Sequence, residues 1–431
     1  MVRVSPIPDL RILADPVQSL KGIQGFSASS ICLVLTSTIT PRSDDYEVKL
    51  TPEHESLRHT IREFAEKRIR PLAAEIDRKN HIPRDLINDI AKLGVTGITF
   101  KEEYGGLGAD MLSMVIALEE LARVNAACST VFVASHLVSE PLSEWGTEEQ
   151  KKRYLPPMVS GEKIGAHAMT EPGAGSDVAG IKTTAKLHGT HWEITGRKTF
   201  ITNGDIADLY LVFARTSPSP SRQERHKGLS AFLVERGTEG FQVASKIETT
   251  GLRGSQPSEL VLDRVKVPKD NLLGKEGDGF YVGVKTYDRG RIDVAAQGVG
   301  ICQAAYEAAV SYAQTRTSFD KPLVDFQQVQ YKIAEMAMGL HTARLLTYWA
   351  ASQKDQGRDF VKASSIAKVT STEAAEKLSL LAMMIHGGYG VATEYPVERF
   401  LRDSQIIKTY EGTNDIQRLT IAKQCLRELK A

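Results

Sequence analysis

The stretch Met169-Thr170-Glu171-Pro172-Gly173-Ala174-Gly175-Ser176-Asp177 lies where the hydrophobic pattern of the chain changes from a helical period to a period of two. Before it, apolar residues recur at helical spacing from about residue 50. Around and beyond it, from about 166 to 267, they alternate in short runs divided by Gly, Asn, Asp and Pro. After Gly279 the helical period returns. This order predicts a mainly α fold with a central β domain.

The pattern divides the chain into four parts. Residues 1–46 carry scattered Pro, Ser and Thr without a helical period and are predicted to form a disordered extension. We expect an N-terminal helical domain at 47–165, a middle domain formed by an antiparallel sheet or small barrel at 166–275, and a C-terminal four-helix bundle at 276–431. The predicted bundle helices cover 280–315, 326–356, 360–385 and 414–429. Shorter helices are expected from Thr51 onward and at 85–93, 112–124 and 148–158.

The composition is that of an ordinary globular protein. The chain has 431 residues, 42% hydrophobic and 25% charged, and a net charge of +1. No block of like charge marks a nucleic-acid or membrane surface, so we expect neither partner. The four cysteines form no Cys-x-x-Cys pair, which argues against a disulfide framework and a zinc site and suits a reducing compartment.

The first 46 residues bear on localisation. Their basic residues are balanced by acidic ones, whereas a mitochondrial transit peptide is rich in Arg and poor in acids. The apolar run 31–35 is too short to span a bilayer. We therefore expect the cytoplasm of a bacterium or archaeon, or the mitochondrial matrix in a eukaryote.

The segment Tyr410-Glu411-Gly412-Thr413-Asn414 is the main candidate for chemistry. Ile406, Ile407 and Tyr410 recur at helical spacing, Gly412 breaks that pattern, and Thr413 or Asn414 is suited to capping a new helix. A carboxylate on such a joint is able to point into a cavity between helices. Taken alone, a Glu beside a helix break is by default a solvated surface residue, and only a second group of motifs changes that interpretation.

Two segments of the β domain suggest a ligand surface. Around Thr170 and Ser176, closely spaced glycines expose backbone N–H groups beside hydroxyls, although a tight turn explains the same residues. The segment lacks the Gly-x-Gly-x-x-Gly spacing of a Rossmann domain. In 198–204, Asn-Gly is predicted to close a hairpin, which places Phe200 and Thr202 on one strand face.

The bundle contributes further candidates. Arg289 and Arg291 lie near the start of its first helix, and Arg316-Thr317-Ser318-Phe319 lies near that helix's end. Each arginine suits either a solvated helix terminus or a phosphate site. The turn His386-Gly387-Gly388-Tyr389-Gly390 permits close backbone approach, and His386 itself is interpreted as structural.

Together these motifs resemble the acyl-CoA dehydrogenase family over about residues 48–430. The motifs are Thr-Glu-Pro-Gly-Ala-Gly-Ser-Asp at 170–177, Phe-Ile-Thr-Asn-Gly at 200–204, Arg-Thr-Ser-Phe at 316–319 with Gln327 nearby, Gly-Gly-Tyr-Gly at 387–390, Tyr-Pro-Val-Glu-Arg at 395–399 and Tyr-Glu-Gly-Thr at 410–413. They occur in the family's order and spacing. The domain order of that family is also helices, sheet and helical bundle.

The resemblance implies an FAD enzyme, a homotetramer built as a dimer of dimers, that oxidises an acyl-CoA to the trans-2-enoyl-CoA and passes electrons to electron-transfer flavoprotein. It implies that the flavin ring lies against the β domain, and that a neighbouring subunit holds the phosphates and adenine. The implied cofactor residues are Met169, Thr170, Ser176, Phe200, Ile201, Thr202, Arg316, Phe319, Gln327, Met384, Gly387, Gly388, Thr413 and Asp415. The implied substrate residues are Ser176, Phe280, Asp288, Arg291, Tyr410 and Gly412.

Glu411 matches the family's catalytic base. Removing the weakly acidic α-hydrogen of a thioester requires a carboxylate in a dry pocket, where its basicity rises, and stabilisation of charge on the thioester oxygen. The family mechanism supplies that stabilisation from the backbone N–H of the base residue and a ribityl hydroxyl, while hydride passes from Cβ to flavin N5. No metal is implied.

Three positions distinguish this chain within the family. In one branch the base lies just before the arginine matched by Arg291, and Gly290 at that position leaves Glu411 as the candidate. Met384 replaces a common glutamine near the phosphates, and Phe200 replaces a common tryptophan. Gly290-Arg291-Ile292 is most similar to the short-chain and short/branched-chain branches, so we expect a short, short-branched or medium acyl chain.

Two alternatives remain at this stage. One is a flavin oxidase on the same scaffold, against which Glu411 counts because nitroalkane oxidases of this type use an aspartate base. The other is a non-catalytic member, such as an assembly factor or a DNA-associated protein. An intact base and near-neutral charge count against it.

Overall fold

The structure is a computed structural model that describes residues 48–429; the predicted disordered extension at 1–46 lies outside the described residues. Within residues 48–429, six α-helices precede the sheet. Thr51 caps the first helix through a bond that its hydroxyl accepts from the His54 N–H, and Pro52 occupies the first helical position. The helices are α1 (Pro52–Phe64), α2 (Ala73–Lys79), α3 (Arg84–Ala91), α4 (Met111–Val124), α5 (Ala126–Trp145) and α6 (Glu148–Val159).

Helix α5 is the longest element of this domain that the sequence did not predict. It is 20 residues long and nearly every side chain of it is buried. A helix that is apolar on all sides has no amphipathic stripe, so the helical period gives no signal. Its burial places it between the other helices and the β domain, where it forms one wall of the cavity described below.

Helix α4 carries two adjacent glutamates that are buried because each is paired. Glu120 accepts bonds from Arg62 at 2.8 Å and from Arg123 at 3.1 Å. Glu119 accepts bonds from Arg344 at 2.8 Å and from the Tyr348 hydroxyl at 2.7 Å. Because a buried carboxylate is tolerated only when paired, these bonds fix α4 against α1 and the C-terminal helices.

The middle domain is a mostly antiparallel sheet with the order β6-β7-β3-β2-β4-β5-β8, in which β4 pairs parallel to both β1 and β2. The prediction of antiparallel pairing therefore does not extend to these two pairs of strands. Both faces of β4 and β5 are buried. The alternate residues of these strands, which the period of two predicts to face outward, are therefore buried as well. The strands are β1 (Gly165–Ala168), β2 (Thr184–His188), β3 (His191–Ile201), β4 (Leu209–Arg215), β5 (Leu229–Glu235), β6 (Phe241–Lys246), β7 (Ser258–Pro268) and β8 (Leu272–Leu273).

The predicted Asn-Gly hairpin at 198–204 is wrong. Strand β3 pairs with β2 and β7, and β2 lies between β3 and β4. Asn203 instead adopts a positive φ of 63°, and its side-chain amide donates to the Val131 carbonyl at 2.8 Å and the Gly165 carbonyl at 3.0 Å. The turn therefore connects the end of β3 to α5 and β1, because these tertiary bonds outweigh the local preference for a hairpin.

The C-terminal domain consists of long helices with one shorter helix before the last. Helix α7 is the central one and packs against α9, α4 and α8. The shorter helix, α10, ends just before Glu411 and adds to the four predicted bundle helices. The helices are α7 (Gly279–Thr315), α8 (Gln327–Asp355), α9 (Val361–His386), α10 (Val397–Ile407) and α11 (Asn414–Glu428), and a two-strand ribbon of β9 (Thr317–Ser318) and β10 (Lys321–Pro322) follows α7.

Among residues 48–429, no helix combines the length and apolar composition that crossing a bilayer requires. In the same range, no group of three or more His, Cys, Asp or Glu side chains is arranged to hold a metal ion.

Candidate active site

A cavity of about 780 Å³ lies between α5, the β domain, the first half of α7 and the segment that joins α10 to α11. Its size is in the range of small-molecule sites. It brings together residues that are up to 244 positions apart in the sequence and were predicted as one site. The predicted residues that line it are Met169, Thr170, Ser176, Phe200, Thr202, Phe280, Arg291, Tyr410, Glu411, Gly412 and Thr413.

Glu411 lies on a turn whose backbone the surroundings hold in place. Its φ is +53° and that of Gly412 is +87°, so two consecutive residues occupy the left-handed region. The Gln417 side-chain amide donates to the carbonyls of Glu411 and Gly412 at 3.2 and 3.1 Å. Positive φ at a glutamate is uncommon and persists only where neighbouring groups enforce it.

Lys368 on α9 supports the same turn through hydrogen bonds. Its ammonium group is buried and donates to the carbonyls of Lys408 and Gly412, at 2.9 and 3.1 Å, and to the Asn414 side chain at 2.8 Å. Burial lowers the pKa of Lys368 to about 7, against the opposing effect of Glu411. The lysine thus holds both ends of the segment that presents Glu411.

The Glu411 carboxyl group is 7% exposed, and its Oε2 atom has no hydrogen-bond partner in the described part of the chain. Burial and the nearby Asp293 carboxylate raise the pKa of Glu411 to about 8, while Lys368 and two arginines act in the opposite direction. A buried carboxyl group with a free oxygen and raised pKa is suited to accept a proton from a very weak carbon acid.

Tyr410 and Arg291 connect the turn to α7. The Tyr410 hydroxyl donates to Gln297 Oε1 at 2.5 Å, and the Gln297 amide donates to the hydroxyls of Ser129 and Thr130 at 2.8 Å. Arg291 donates to Asp288 at 2.8 Å, and burial lowers the pKa of the guanidinium. Arg291 is therefore not the solvated helix terminus that the sequence left as an alternative.

The β-domain wall of the cavity offers a flat aromatic group among polar ones. Phe200 is 62% exposed with a φ of +55°, at the end of β3. The hydroxyls of Thr170, Ser176 and Thr202 form no hydrogen bond within residues 48–429, so they are free for a ligand. An aromatic face flanked by free hydroxyls fits a flat ring with polar edges, as the flavin predicted for this wall has.

A buried ion pair holds this wall in shape. Lys198 donates to Glu171 at 2.8 Å and to the Met169 carbonyl at 3.1 Å. Burial lowers the pKa of Lys198 to about 8 in spite of its partner. Glu171 in turn accepts bonds from the N–H groups of Lys182 and Thr183. The pair thus fixes the position of residues 169–171 in the wall of the cavity. A tight turn alone would not need this support.

The other predicted residues lie away from this cavity. Ile201 is buried in the core of the β domain, and Asp288 is reached through Arg291. Arg316 lines a second cavity of about 590 Å³ with its guanidinium 5.6 Å from the Tyr389 ring, and Phe319 is 87% exposed. The predicted contacts that do not line the first cavity are Ile201, Asp288, Arg316, Phe319, Gln327, Met384, Gly387, Gly388 and Asp415.

Several residues that line the cavity were not predicted. Leu137 and Ala134 come from α5, the helix that the hydrophobic period missed. His167 on β1 and Tyr287 on α7 face each other with ring centroids 5.1 Å apart, and burial lowers the pKa of His167 to about 3. A single His beside an Ala-rich strand gives no sequence signal, so only the packing of β1 against α7 identifies it.

Three family models match successive parts of the chain. They are described as the acyl-CoA dehydrogenase N-terminal domain, matching residues 51–162, the middle domain, matching 166–265, and the C-terminal domain, matching 277–426.

Individual relatives match nearly the whole chain. It is 43% identical to an acyl-CoA dehydrogenase of Bacillus subtilis over 378 residues, covering 88% of this chain and 99% of that one. It is 41% identical to a short-chain specific acyl-CoA dehydrogenase of Clostridium acetobutylicum, covering 88% and 100%. The structure of butyryl-CoA dehydrogenase from Megasphaera elsdenii superposes with a TM-score of 0.85 at 40% identity, covering 88% of this chain and 100% of that one.

Proposed function

The chain belongs to the acyl-CoA dehydrogenase family of FAD-dependent oxidoreductases, and from this premise we propose that it oxidises a short-chain acyl-CoA to the trans-2-enoyl-CoA with Glu411 as catalytic base. The observation that carries the proposal is the buried Glu411 carboxyl group, with a free oxygen and a pKa of about 8, in a cavity large enough for an acyl thioester and a flavin ring.

In the proposed reaction Glu411 removes a proton from the carbon next to the thioester carbonyl. The backbone N–H of Glu411 makes no hydrogen bond within residues 48–429, so it is free to donate to the thioester oxygen as negative charge develops there. Bound FAD would supply the acceptor for the hydride that leaves Cβ. The side chains of α5 and Tyr410 exclude water from the reacting carbons, which keeps the carboxylate strongly basic.

The FAD contacts follow from the two groups of predicted residues. Met169, Thr170, Ser176, Phe200, Thr202 and Thr413 would hold the flavin ring of their own subunit. Arg316, Phe319, Gln327, Met384, Gly387 and Gly388 would hold the phosphates and adenine of a neighbouring subunit's FAD, with Ile201 and Asp415 supporting the site. The high exposure of Phe319 favours this division, since a solvent-facing aromatic side chain is suited to meet a second chain.

The wall of the cavity around Tyr410 favours a short acyl chain. The Tyr410–Gln297–Thr130 hydrogen bonds cross-link α5, α7 and the turn. A long chain would have to break these buried bonds, which costs about 1–3 kcal/mol for each polar group left unpaired. The names of the short-chain and butyryl-CoA relatives support the same size class. Ser176, Phe280, Asp288, Arg291 and Gly412 would contact the CoA part or the thioester.

We further propose a homotetramer built as a dimer of dimers, with electron-transfer flavoprotein as the electron acceptor. The exposed apolar residues Tyr331, Met338 and Leu345 recur at seven-residue intervals on one face of α8, as expected of a helix that packs on another subunit. The proposed compartment is the cytoplasm of a bacterium or archaeon, or the mitochondrial matrix in a eukaryote. The domain limits 47–165, 166–275 and 276–431 likewise remain predictions.

The test is anaerobic titration of the FAD-loaded protein with straight and branched acyl-CoAs of increasing length. Butyryl-CoA is expected to bleach the visible absorbance of the wild-type flavin, and Glu411→Gln is expected to keep its FAD without bleaching. Glu144→Gln, an exposed position on α5, controls for loss of one carboxylate. Bleaching of Glu411→Gln at the wild-type rate would place the base elsewhere, and a response limited to long chains would overturn the proposed size class.

A further inference from the structure

Asp293 is a buried carboxylate that the proposed reaction does not use. It lies on α7 with 0% exposure, and neither of its oxygens has a hydrogen-bond partner in the described part of the chain. Burial raises its pKa to about 6. A carboxylate is rarely buried without a partner, because moving its charge out of water is costly, so its position calls for an explanation.

The position of Asp293 on α7 directs it toward Glu411. A side chain at Gly290 would overlap Glu411 Oε2, so this face of α7 borders the catalytic carboxyl group. Asp293 is one turn further on the same face, where side chains three positions apart have Cβ atoms about 5–6 Å from each other. The Asp293 carboxylate is also the nearby group that most strongly raises the pKa of Glu411.

Two charged groups that act on Asp293, Arg289 and Glu140, form an ion pair that reaches solvent at Glu140. Arg289, one turn earlier on α7, donates to Glu140 of α5 at 2.7 Å and to Thr99 at 3.2 Å. The Glu140 side chain is 24% exposed. The charged groups that act on Asp293 are therefore Arg289 from α7, Glu140 from α5, Lys354 from α8 and Glu411 from the turn, while the nearby His136 is kept neutral by a pKa of about 3.

We propose that Asp293 accepts the substrate proton from Glu411 on the side of the site away from the cavity. The inference rests on the proposed role of Glu411. No hydrogen bond joins the two carboxyl groups within residues 48–429, so the step requires the protonated Glu411 side chain to rotate toward Asp293. The O–H bond of the Glu411 carboxylic acid then breaks as an O–H bond forms on the Asp293 carboxylate, so Glu411 returns to its charged form and Asp293 becomes neutral. Asp293 then gives the proton to solvent by way of the Glu140 side. Glu411 thus regains its charge while an acyl thioester still fills the cavity.

The experiment uses the FAD-loaded enzyme and 3-thiabutanoyl-CoA, whose α-proton is removable but which cannot be dehydrogenated because sulfur replaces Cβ. In D₂O, proton removal is followed by the long-wavelength absorbance of the enolate beside oxidised flavin. Exchange of the α-hydrogen for deuterium is followed by NMR. Exchange requires that Glu411 lose its proton to solvent while the ligand is bound. The absorbance therefore reports removal of the α-proton, and the exchange rate reports its transfer from Glu411 to solvent.

Asp293→Asn is expected to form the enolate at nearly the wild-type rate but to exchange the α-hydrogen at least about tenfold more slowly. The pH dependence of enolate formation should shift down by roughly one unit, because a negative charge near Glu411 is lost. Asp263→Asn, a 68% exposed carboxylate, is expected to change neither signal. FAD content and the unfolding midpoint show that the variant is folded, and removing an unpaired buried charge should not lower that midpoint.

Wild-type exchange in Asp293→Asn would overturn the relay, and so would slowing of exchange only in proportion to enolate formation. A second measurement compares infrared difference spectra on binding the analogue: the wild type should show a protonated-carboxyl band that is lost in Asp293→Asn, and the same band in that variant would contradict the proposal. Failure of the wild type both to form the enolate and to be bleached by butyryl-CoA would instead refute the proposed function itself.

Discussion

The Glu411 carboxyl group occupies the space beside Gly290 that a side chain at position 290 would fill, because a Cβ atom there would overlap the Oε2 atom of Glu411. The helix that carries the glycine and the turn that carries the glutamate are thus matched to each other. A glycine inside a helix costs about 1 kcal/mol relative to alanine, so α7 gives up local stability at the point where the carboxyl group needs room.

Gly290→Ala is expected to displace the Glu411 carboxyl group and to lower kcat with butyryl-CoA by at least about tenfold. FAD content should be unchanged, since the ring wall is formed by the β domain. Stopped-flow bleaching measures the effect. Gly339→Ala on α8 is the matched control, because the added methyl meets only the end of the Leu378 side chain. Wild-type bleaching in Gly290→Ala would show that Glu411 has another productive position.

The pH dependence should report the raised pKa of Glu411. Only the carboxylate accepts a proton, so kcat/KM is expected to rise with pH and to level off above about 8. The measurement is kcat/KM with butyryl-CoA over the range in which bound FAD fluorescence shows that the holoenzyme is intact. A profile that is already flat well below this pH would mean that Glu411 is ionised in the free enzyme.

The sequence identified this site to the extent that local signals exist for it. The helix break at Gly412 marks Glu411, and the glycine-rich stretch around Ser176 marks the ring wall. Asp293 and Tyr287 carry no such signal, because their roles come from packing of α7 against distant segments. The prediction of a hairpin at Asn203-Gly204 was wrong for a related reason: β2, and not the strand that follows Gly204, pairs with β3 on that side. Local sequence patterns identify helix ends and turns, whereas contacts between residues that are distant in the sequence are visible only in the tertiary structure.

The proposed assembly predicts that Leu345→Glu dissociates the protein. Leu345 is 64% exposed on the apolar face of α8, so a charge there is expected to prevent subunit contact. Light scattering should show a smaller particle. FAD should be released, because each FAD loses its contacts with residues of the neighbouring subunit such as Arg316. Leu187→Glu on β2, also at an exposed leucine, is the control. A wild-type mass for Leu345→Glu would exclude this face as the interface.

Glu411 is predicted to reduce the stability of the fold that it serves. Its pKa is about 8 in the folded protein and 4.5 in an unconstrained glutamate, so the unfolded state releases the proton at lower pH. The protonated form fits the buried site, and the stability it contributes is lost as pH rises from about 4.5 to about 8. Above that pH, Glu411→Gln should exceed the wild type in free energy of unfolding by a few kcal/mol.

Glu411→Gly should gain a further ~1 kcal/mol over Glu411→Gln, because the φ of +53° at this position is strained for any side chain but free for glycine. Denaturant unfolding of the FAD-loaded protein at several pH values measures both effects. Lys368→Met is the contrasting variant: it removes one donor from each of the Lys408 carbonyl, the Gly412 carbonyl and the Asn414 side chain, so it should lower the stability of the fold. A Glu411→Gln protein less stable than the wild type above pH 8 would mean that the carboxylate is paired in the folded state and that its burial is not the source of its basicity.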